Sequence, residues 1–568
     1  MIDIKWKILR PNETIYELAE ELEIPTEIAS CYYNRGLTTK DKIVNFINTN
    51  LNNLYDPFLL PDMDKAVDRV CKAITNRELI HVHGDYDVDG ITATAIMVFI
   101  LLRLNANFTY YTPHRIEDGY DLQIKHIESA KKNGVDLLIT VDCGIRATEA
   151  LKYANQIGMD VIVTDHHLAP DDFLPSAYAI INTHRKDSNY PFVDLAGCGI
   201  AMKFAMAIGK KLGLGEEFIF DNLLDYVVLG TVADMAPLVD ENRIIVSRGC
   251  DKLLCTKKVG LQKLLKVANI KDNVDTTSIG FYIGPRINAI GRLSDSMTAL
   301  NLMLETNNDR AELLAKQLDT ANKRRQQLQN KIYDEAVSLL PQDMSNTYVI
   351  TVATKSWHPG IVGLVANRLT DTYGVPSMVG VIEGGIVHGS CRSTPNFPII
   401  DAMRQYNDLF IKYGGHAYAA GFEITLGNFK KLEKLINDYA KDYFGGDYKP
   451  SKIISIDSLI RPEDVNENLY LHLVKLSPFG INNPEPIFAV KKVNIFDITI
   501  FGNGKYAKFK FKKHDNNRWV MGTWWKKNDE RCKLENEMLV DIAFKIKSEN
   551  WQGKTNYVAI VEDIRPSE

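Results

Sequence analysis

The stretch LIHVHGDYDVDG, residues 79–90, starts as a short apolar run and ends with one histidine and three carboxylates inside seven positions, His83 to Asp89. Carboxylates so dense repel one another unless cations neutralise them. Two later apolar runs end the same way: Leu137–Val141 leads into Asp142 of VDCG, and Val161–Thr164 leads into Asp165, His166 and His167. Between them RATEALKYANQIGMD (146–160) carries the pattern of a single crossover helix. The acid-bearing ends therefore fall on one edge of a parallel sheet. Short apolar runs alternating with amphipathic segments predict an α/β fold with a doubly wound, mostly parallel sheet. In such sheets ligands gather at the carboxyl ends of the strands.

A fourth acid, Asp234 in GTVADM (230–235), follows another apolar stretch and is placed to close the cluster. An isolated aspartate reads as a solvated loop carboxylate; three acid-bearing clusters arriving at strand ends, taken jointly with this fourth acid, do not. Carboxylates mixed with neutral imidazoles suit Mn2+ or Mg2+ better than thiolate-rich zinc sets, and several ligands able to bridge suggest two ions. Two such ions are a recurrent device for hydrolysing phosphate esters.

A chain of 568 residues exceeds one hydrophobic core, so two to four domains are expected. With 45% apolar and 24% charged residues the composition is that of a globular protein rather than a disordered one. No uncharged apolar run reaches the length of a membrane helix, and MIDIKWKILRPNE lacks the layout of a secretory signal, which predicts a cytoplasmic protein without a membrane partner. The eight cysteines are scattered without a CxxC pair, which excludes a thiolate zinc site and a disulfide framework as readings. Residues 451–568 hold 19 Lys and Arg against 16 Asp and Glu, while the rest of the chain holds 48 against 56. A basic tail on an acidic body is compatible with nucleic-acid binding.

Organisation follows from the same patterning. Residues 1–45 read as a helical lead-in packed on the surface, and 46–305 as the acid-bearing α/β unit. Ala311 to Leu340 contain no Gly or Pro and repeat apolar residues at helical spacing, giving one long connecting helix over 306–341. A second, smaller α/β unit covers 342–446, and a β-domain covers 447–568, where KFKFK (508–512) alternates with period two.

Together HGDYDVDG, VDCG, TDHH and VADM resemble the four motifs of the DHH phosphoesterase superfamily in order and spacing. GPRINA (284–289) with Gly291 and Arg292, WHPG (357–360), Arg392-Ser393 and Gly414-Gly415-His416 are similar to its RecJ branch. The resemblance covers nearly everything after residue 45. It implies a DHH catalytic domain, the connecting helix, a smaller DHH-associated domain and a C-terminal OB-like β-barrel. It further implies that His83, Asp87, Asp89, Asp142, His166 and Asp234 are metal ligands, Asp142 bridging. Asp85 joins the catalytic group with Asp142, His167 meets the scissile phosphate, and Asp165 orients a histidine, as metal-bound imidazoles require.

Arg286, Asn288 and Arg292 are candidate contacts to DNA phosphates, because a guanidinium grips two phosphate oxygens at once. The alternative for these three is helix capping or an interdomain salt bridge. Arg392, Ser393 and His416, in Gly-flanked loops, are candidates for the 5′ end of the strand. Residues 505–533 carry ten Lys and Arg against three Asp and Glu with six aromatic rings interleaved, the chemistry of sequence-independent single-strand binding. Within it Phe509 and Phe511 read as the buried face of a strand, with Lys508 and Lys510 facing DNA; Trp524 and Trp525 cannot both face one way.

The activity implied is a 5′→3′ exonuclease that releases 5′-mononucleotides from single-stranded DNA with two Mn2+ or Mg2+ ions, in recombination and repair. The implied partners are single-stranded-DNA-binding protein and a helicase, the enzyme itself being a monomer. Two departures stand out: Asn482 replaces a glycine of the usual PFGxGNPEP, and Asp121 replaces the last glycine of DGYG. Asn tolerates positive φ better than most residues. Asp121 adds a carboxylate beside the presumed DNA path. Two rivals remain: a phosphodiesterase for very short or cyclic oligonucleotides, which would lack the basic barrel, and a non-catalytic DNA-binding scaffold, which would have lost metal ligands.

Overall fold

The computed structural model describes residues 3–115, 118–119, 121–170, 173–446, 450–502, 505–512, 519–525, 533–551 and 553–567. The chain opens with strand β1 (Asp3–Ile8) and helices Glu13–Glu21 and Thr26–Tyr33. Then β2 (Leu79–His83), β3 (Asn107–Tyr111), β4 (Leu137–Val141), β5 (Asp160–Thr164) and β6 (Ala179–Ile181) form an all-parallel sheet in the order β3-β2-β4-β5-β6. The chain leaves β2 for the edge strand β3 and returns to β4 on the other side of β2. The sheet therefore reverses direction between β2 and β4, the point where α/β folds open a ligand crevice.

Helix Val88–Arg103 follows β2 and is buried along almost its whole length, Ile91, Ala93, Ala95, Ile96 and Ile100 among its residues. It lies between the sheet and two further apolar helices, Gly197–Lys211 and Glu216–Ala233. Helices buried on every side lose the one-sided pattern that marks surface helices, and this layer lies outside the strand–helix alternation read from the sequence.

Helix Asn308–Ser338 spans 31 residues and joins the first domain to a mixed sheet made of β7 (Ile350–Thr354), β8 (Ser377–Glu383), β9 (Ile386–Arg392), β10 (Phe410–His416) and β11 (Ala419–Thr425), ordered β10-β11-β9-β8-β7. The long helix ends, as its pattern predicts, just before Pro341.

Strand β12 (Ser451–Ile456) pairs in parallel with β1. After it come β13 (Ser458–Leu459), β14 (Phe488–Phe501), β15 (Tyr506–Lys512), β16 (Val520–Trp524), β17 (Leu539–Trp551) and β18 (Lys554–Pro566). The order β14-β15-β16-β18-β17 closes through a β14–β17 ladder, which makes a five-stranded barrel. Phe509, Phe511 and Trp524 lie in its core, as the alternation predicts, and Trp525 is exposed.

The reading of residues 1–45 as a helical, surface-packed lead-in is corrected. They begin with a strand, DIKWKI, and Ile15, Leu18, Ile28 and Tyr32 share one core with Phe488, Phe509, Phe511 and Phe544 of the barrel. Trp6 Nε1 donates to Asp563 Oδ2 at 2.7 Å, and the Arg565 guanidinium lies 4.0 Å over its ring. The N-terminal segment and the barrel thus share one hydrophobic core.

Candidate active site

Each acid is placed by backbone at the carboxyl edge of the parallel sheet. Asp87 is the N-cap of helix Val88–Arg103, its Oδ1 accepting from Asp89 N at 2.9 Å and Gly90 N at 3.2 Å. Gly90 packs so closely under Asp85 that an added Cβ would come within 2.6 Å of both its Cβ and its carbonyl oxygen. Asp142 follows β4 at φ +62°, a left-handed conformation that costs a non-glycine residue about 1 kcal/mol or more. It turns the carboxylate into the cluster. Asp234 caps the C-terminus of helix Glu216–Ala233.

Asp89 is held from a segment the sequence reading did not single out. Gly197 N donates to its Oδ2 at 2.7 Å and Cys198 N to its Oδ1 at 2.8 Å, so the first turn of helix Gly197–Lys211 grips the carboxylate. A side chain at position 197 would land on the Asp142 carboxylate. The signal was present in the Gly-Cys-Gly that opens an apolar helix.

Among the described residues three groups of side chains offer ligand atoms within 4.8 Å of one another: Asp142 with His166 and His167, Asp89 with His166 and Asp234, and Asp85 with Asp87 and Asp142. Asp142 and His166 each belong to two groups. His166 Nε2 stands 3.2 Å from Asp142 Oδ1 and 4.0 Å from Asp89 Oδ2, while its Nδ1 is 3.9 Å from Asp234 Oδ2. His83 belongs to none of the three. At the end of β2 its buried ring packs against His126, centroids 4.7 Å apart, and its Nε2 has no hydrogen-bond partner.

The set fits divalent cations on the structure's own terms. Asp85 Oδ1 and Asp142 Oδ1 are buried without a hydrogen-bond partner among the described residues. Burial and then the neighbouring carboxylates push Asp85, Asp87 and Asp142 upward and bring Asp234 to about 8. Carboxyls crowded in this way regain their ordinary ionised form when a cation sits among them.

Asp165 accepts from His167 N at 3.0 Å and meets His167 Nδ1 at 2.7 Å, while its other oxygen accepts from Ile145 N at 2.9 Å. Burial works against a charged His167 ring, yet the Asp165 hydrogen bond and the charges of Asp165, Asp234 and Asp85 hold its pKa up to about 9. Burial lowers His166, favouring the neutral ring a metal ligand needs.

The residues proposed for DNA divide. Asn288 and Arg292 line a cavity of about 1190 Å³ that reaches from the Ala233–Leu238 turn to the Ser477–Ile481 loop and Lys547 of the barrel. Arg325 of the long helix lines it too. Arg115, Arg325 and Arg392 all lie close enough to act on Arg292, which burial and then these charges lower to about 10. Among the described residues no carboxylate pairs with Arg292, Arg325 or Arg392. Arg115 and Arg325 were missed because neither lies in a glycine-flanked motif: Arg325 sits in a Lys323-Arg324-Arg325 run that reads as the solvated face of the long helix.

Arg286 takes its alternative role: it donates to Asp319 Oδ1 at 3.0 Å and to the carbonyls of Tyr282 and Val267, so it struts the long helix rather than facing the cavity. Ser393 Oγ donates to Phe397 O at 2.5 Å, which closes its own turn. His416 is exposed at the end of β10, and Lys508 is exposed on β15, whereas Lys510 pairs with Asp497 at 2.8 Å. Asn482 does adopt positive φ, +59°, as does Asp121 at +70°.

Family models match over three segments: the DHH family N-terminal domain over residues 79–231, the DHHA1 domain over 345–442 and the RecJ OB domain over 456–563. The single-stranded-DNA-specific exonuclease RecJ of Escherichia coli is 32% identical over 489 residues, covering 82% of this chain and 83% of that protein. The chain belongs to the RecJ family. The RecJ of Bacillus subtilis is 36% identical over 507 residues, 88% of this chain, and the match spans 63% of that longer protein. The crystal structure of RecJ from Thermus thermophilus in complex with Mn2+ superposes with a TM-score of 0.85 at 28% identity, over 100% of this chain and 80% of that one. The same RecJ has also been solved with Mg2+. Among the described residues no helix is long and apolar enough to cross a membrane.

Proposed function

We propose that this protein is a metal-dependent 5′→3′ exonuclease that degrades single-stranded DNA to 5′-mononucleotides, in recombination and repair. The observation that carries the reading is the trio of interlocking carboxylate and imidazole groups sharing Asp142 and His166 at the reversal point of the parallel sheet. Asp87, Asp89, Asp142, His166 and Asp234 would hold two Mn2+ or Mg2+ ions, with Asp142 between them and Asp85 closing the group. His83, at the end of β2, is the outlying member of the proposed ligand set. When bound, the ions lower the pKa of a water and neutralise charge on the phosphoryl oxygens.

The chain's own residues supply the rest. Asp165 orients the His167 ring through Nδ1 and favours its charged form, in which the other N–H would donate to a non-bridging phosphate oxygen. Asn288, Arg292 and Arg325, with Arg392 and Arg115 close to Arg292, would form a channel for the anionic strand, with Ser393 and His416 at the end reached by the 5′ terminus. On the barrel, Lys508 and the exposed Trp525 would hold the following nucleotides. The working form is proposed to be a cytoplasmic monomer that meets single-stranded-DNA-binding protein and a helicase.

The test is digestion of end-labelled oligonucleotides. Release of the 5′ label as a mononucleotide from a single strand, absent with EDTA and absent from a blunt duplex, is the expected result. DNA binding with no cleavage under either metal would point to a scaffold, and cleavage restricted to two- to five-nucleotide substrates would point to a short-oligonucleotide phosphodiesterase.

A further inference from the structure

Three consecutive residues at the start of helix Asp240–Leu254, Glu241, Asn242 and Arg243, are polar or charged and at most 3% exposed. Such groups are rarely buried unless every one is used. Glu241 accepts from Tyr55 N, Tyr190 Oη and Lys203 Nζ at 2.6–2.7 Å. Arg243 donates to the carbonyls of Phe46, Leu476 and Lys475 at 2.7–2.9 Å, reaching the N-terminal segment and the approach to the barrel. The turn is pinned from both sides.

Between them Asn242 sends its one amide nitrogen to two carbonyls, Asp194 O at 2.6 Å and Pro237 O at 3.1 Å. Two oxygens facing the same atom fix which end of the amide is nitrogen. Its Oδ1 is buried and has no hydrogen-bond partner among the described residues. Asn is thus kept for its two N–H donors, and both are spent on backbone that shapes the metal cluster. Asp194 precedes the turn whose Gly197 and Cys198 amides grip Asp89. Pro237 belongs to the turn that carries Asp234, a turn with Met235 at φ +61° whose Asp234, Met235 and Ala236 amides bond back to Gly230, Val232 and Thr231 of the preceding helix, leaving the Pro237 carbonyl to Asn242. Asp89 and Asp234 come together with His166 in one of the three ligand groups.

We propose that Asn242 is a positioning residue that sets the spacing between Asp89 and Asp234 by tying together the two backbone turns behind them. It touches neither substrate nor ion. The proposal rests on the reading of Asp89 and Asp234 as metal ligands, and the experiment separates the two.

Mn2+ binding to the full chain without DNA is measured for wild type, Asp234→Asn and Asn242→Asp, the last a near-isosteric change that replaces both donors by an acceptor. Oligonucleotide binding in EDTA and thermal melting are measured alongside. Asp234→Asn should weaken Mn2+; if it does not, the metal reading fails and this proposal with it. Given that it does, Asn242→Asp should weaken Mn2+ by about 10- to 100-fold, the usual effect of removing a residue that orients ligands. EDTA-state DNA binding should stay unchanged, and turnover should recover at saturating Mn2+. Wild-type Mn2+ affinity in a folded Asn242→Asp overturns the proposal. Should that variant not fold, Asn242→Ser, which restores one donor, is read in the same way. Joint loss of melting cooperativity and of DNA binding in both variants gives Asn242 a global structural role and overturns it equally.

Discussion

At the carboxyl edge of the parallel sheet Asp85, Asp142 and Asp165 are each less than 5% exposed, and the cluster is held by backbone: a left-handed φ at Asp142, a helix cap at Asp87, and main-chain amides on Asp165 and Asp89. On the barrel the groups proposed to meet DNA stand out from the surface: Trp519 is 44% exposed and Trp525 51%, with Phe501 and Tyr506 packed against Trp525 and Lys512 over Trp519. The first arrangement suits chemistry, which demands fixed charges in a dry site. The second suits a partner of variable sequence, which any base can satisfy by stacking. Damage to the sheet edge should therefore abolish turnover and spare binding, whereas damage to the barrel face should do the reverse.

The largest effect is expected for Asp142→Ala. A ligand shared between two groups supports several kcal/mol of transition-state stabilisation, so cleavage should fall by about 10³-fold or more. Oligonucleotide affinity in EDTA should change little; a large loss there would break the division between the two regions. Asp165→Asn should come next, with turnover lower by roughly 10- to 100-fold, because it removes no member of the three ligand groups but sets an amide where both carboxylate oxygens accept, one from His167 and the other from Ile145 N. Single-turnover rates at saturating metal are the readout, and an unchanged rate would remove Asp165 from the mechanism.

The two regions also differ in how much of them can be read from sequence. Asp85, Asp142 and Asp165 were legible because each follows an apolar run that can only be a buried strand, which fixes where the acid points. Phe509 and Phe511 were legible by the same logic with period two. Interactions made by backbone atoms were not: the Gly197 and Cys198 amides that hold Asp89 have no residue-type signature beyond permissive glycines. Nor were pairings between distant segments. Arg286 looks like a phosphate ligand until Asp319 on another helix claims it, and DIKWKI looks like part of a lead-in until β12 supplies the strand beside it. Local pattern specifies which face of an element is buried; it does not specify which partner arrives.

A smaller effect is expected on the barrel. Trp525→Ala should lower affinity for a long oligonucleotide by about 1–3 kcal/mol, roughly 5- to 150-fold, if its exposed ring stacks on a base. Cleavage of bound strand at saturating DNA should be unaffected, and a loss of turnover without a loss of affinity would place the ring nearer the chemistry than the comparison allows.

The smallest effect, and the sharpest test, belongs to Lys508→Ala. Lys508 is exposed on β15 beside Lys510, whose charge is already partly met by Asp497. If Lys508 meets a phosphate, its removal gives back one condensed counterion, so affinity should drop only a few-fold while the slope of log K against log salt becomes shallower by about 0.7. A few-fold loss with an unchanged slope would mean that the lysine supports the strand it sits on rather than the DNA. The basic face of the barrel would then have to be sought away from β15, while the buried cluster on the sheet edge, which owes nothing to Lys508, would stand as before.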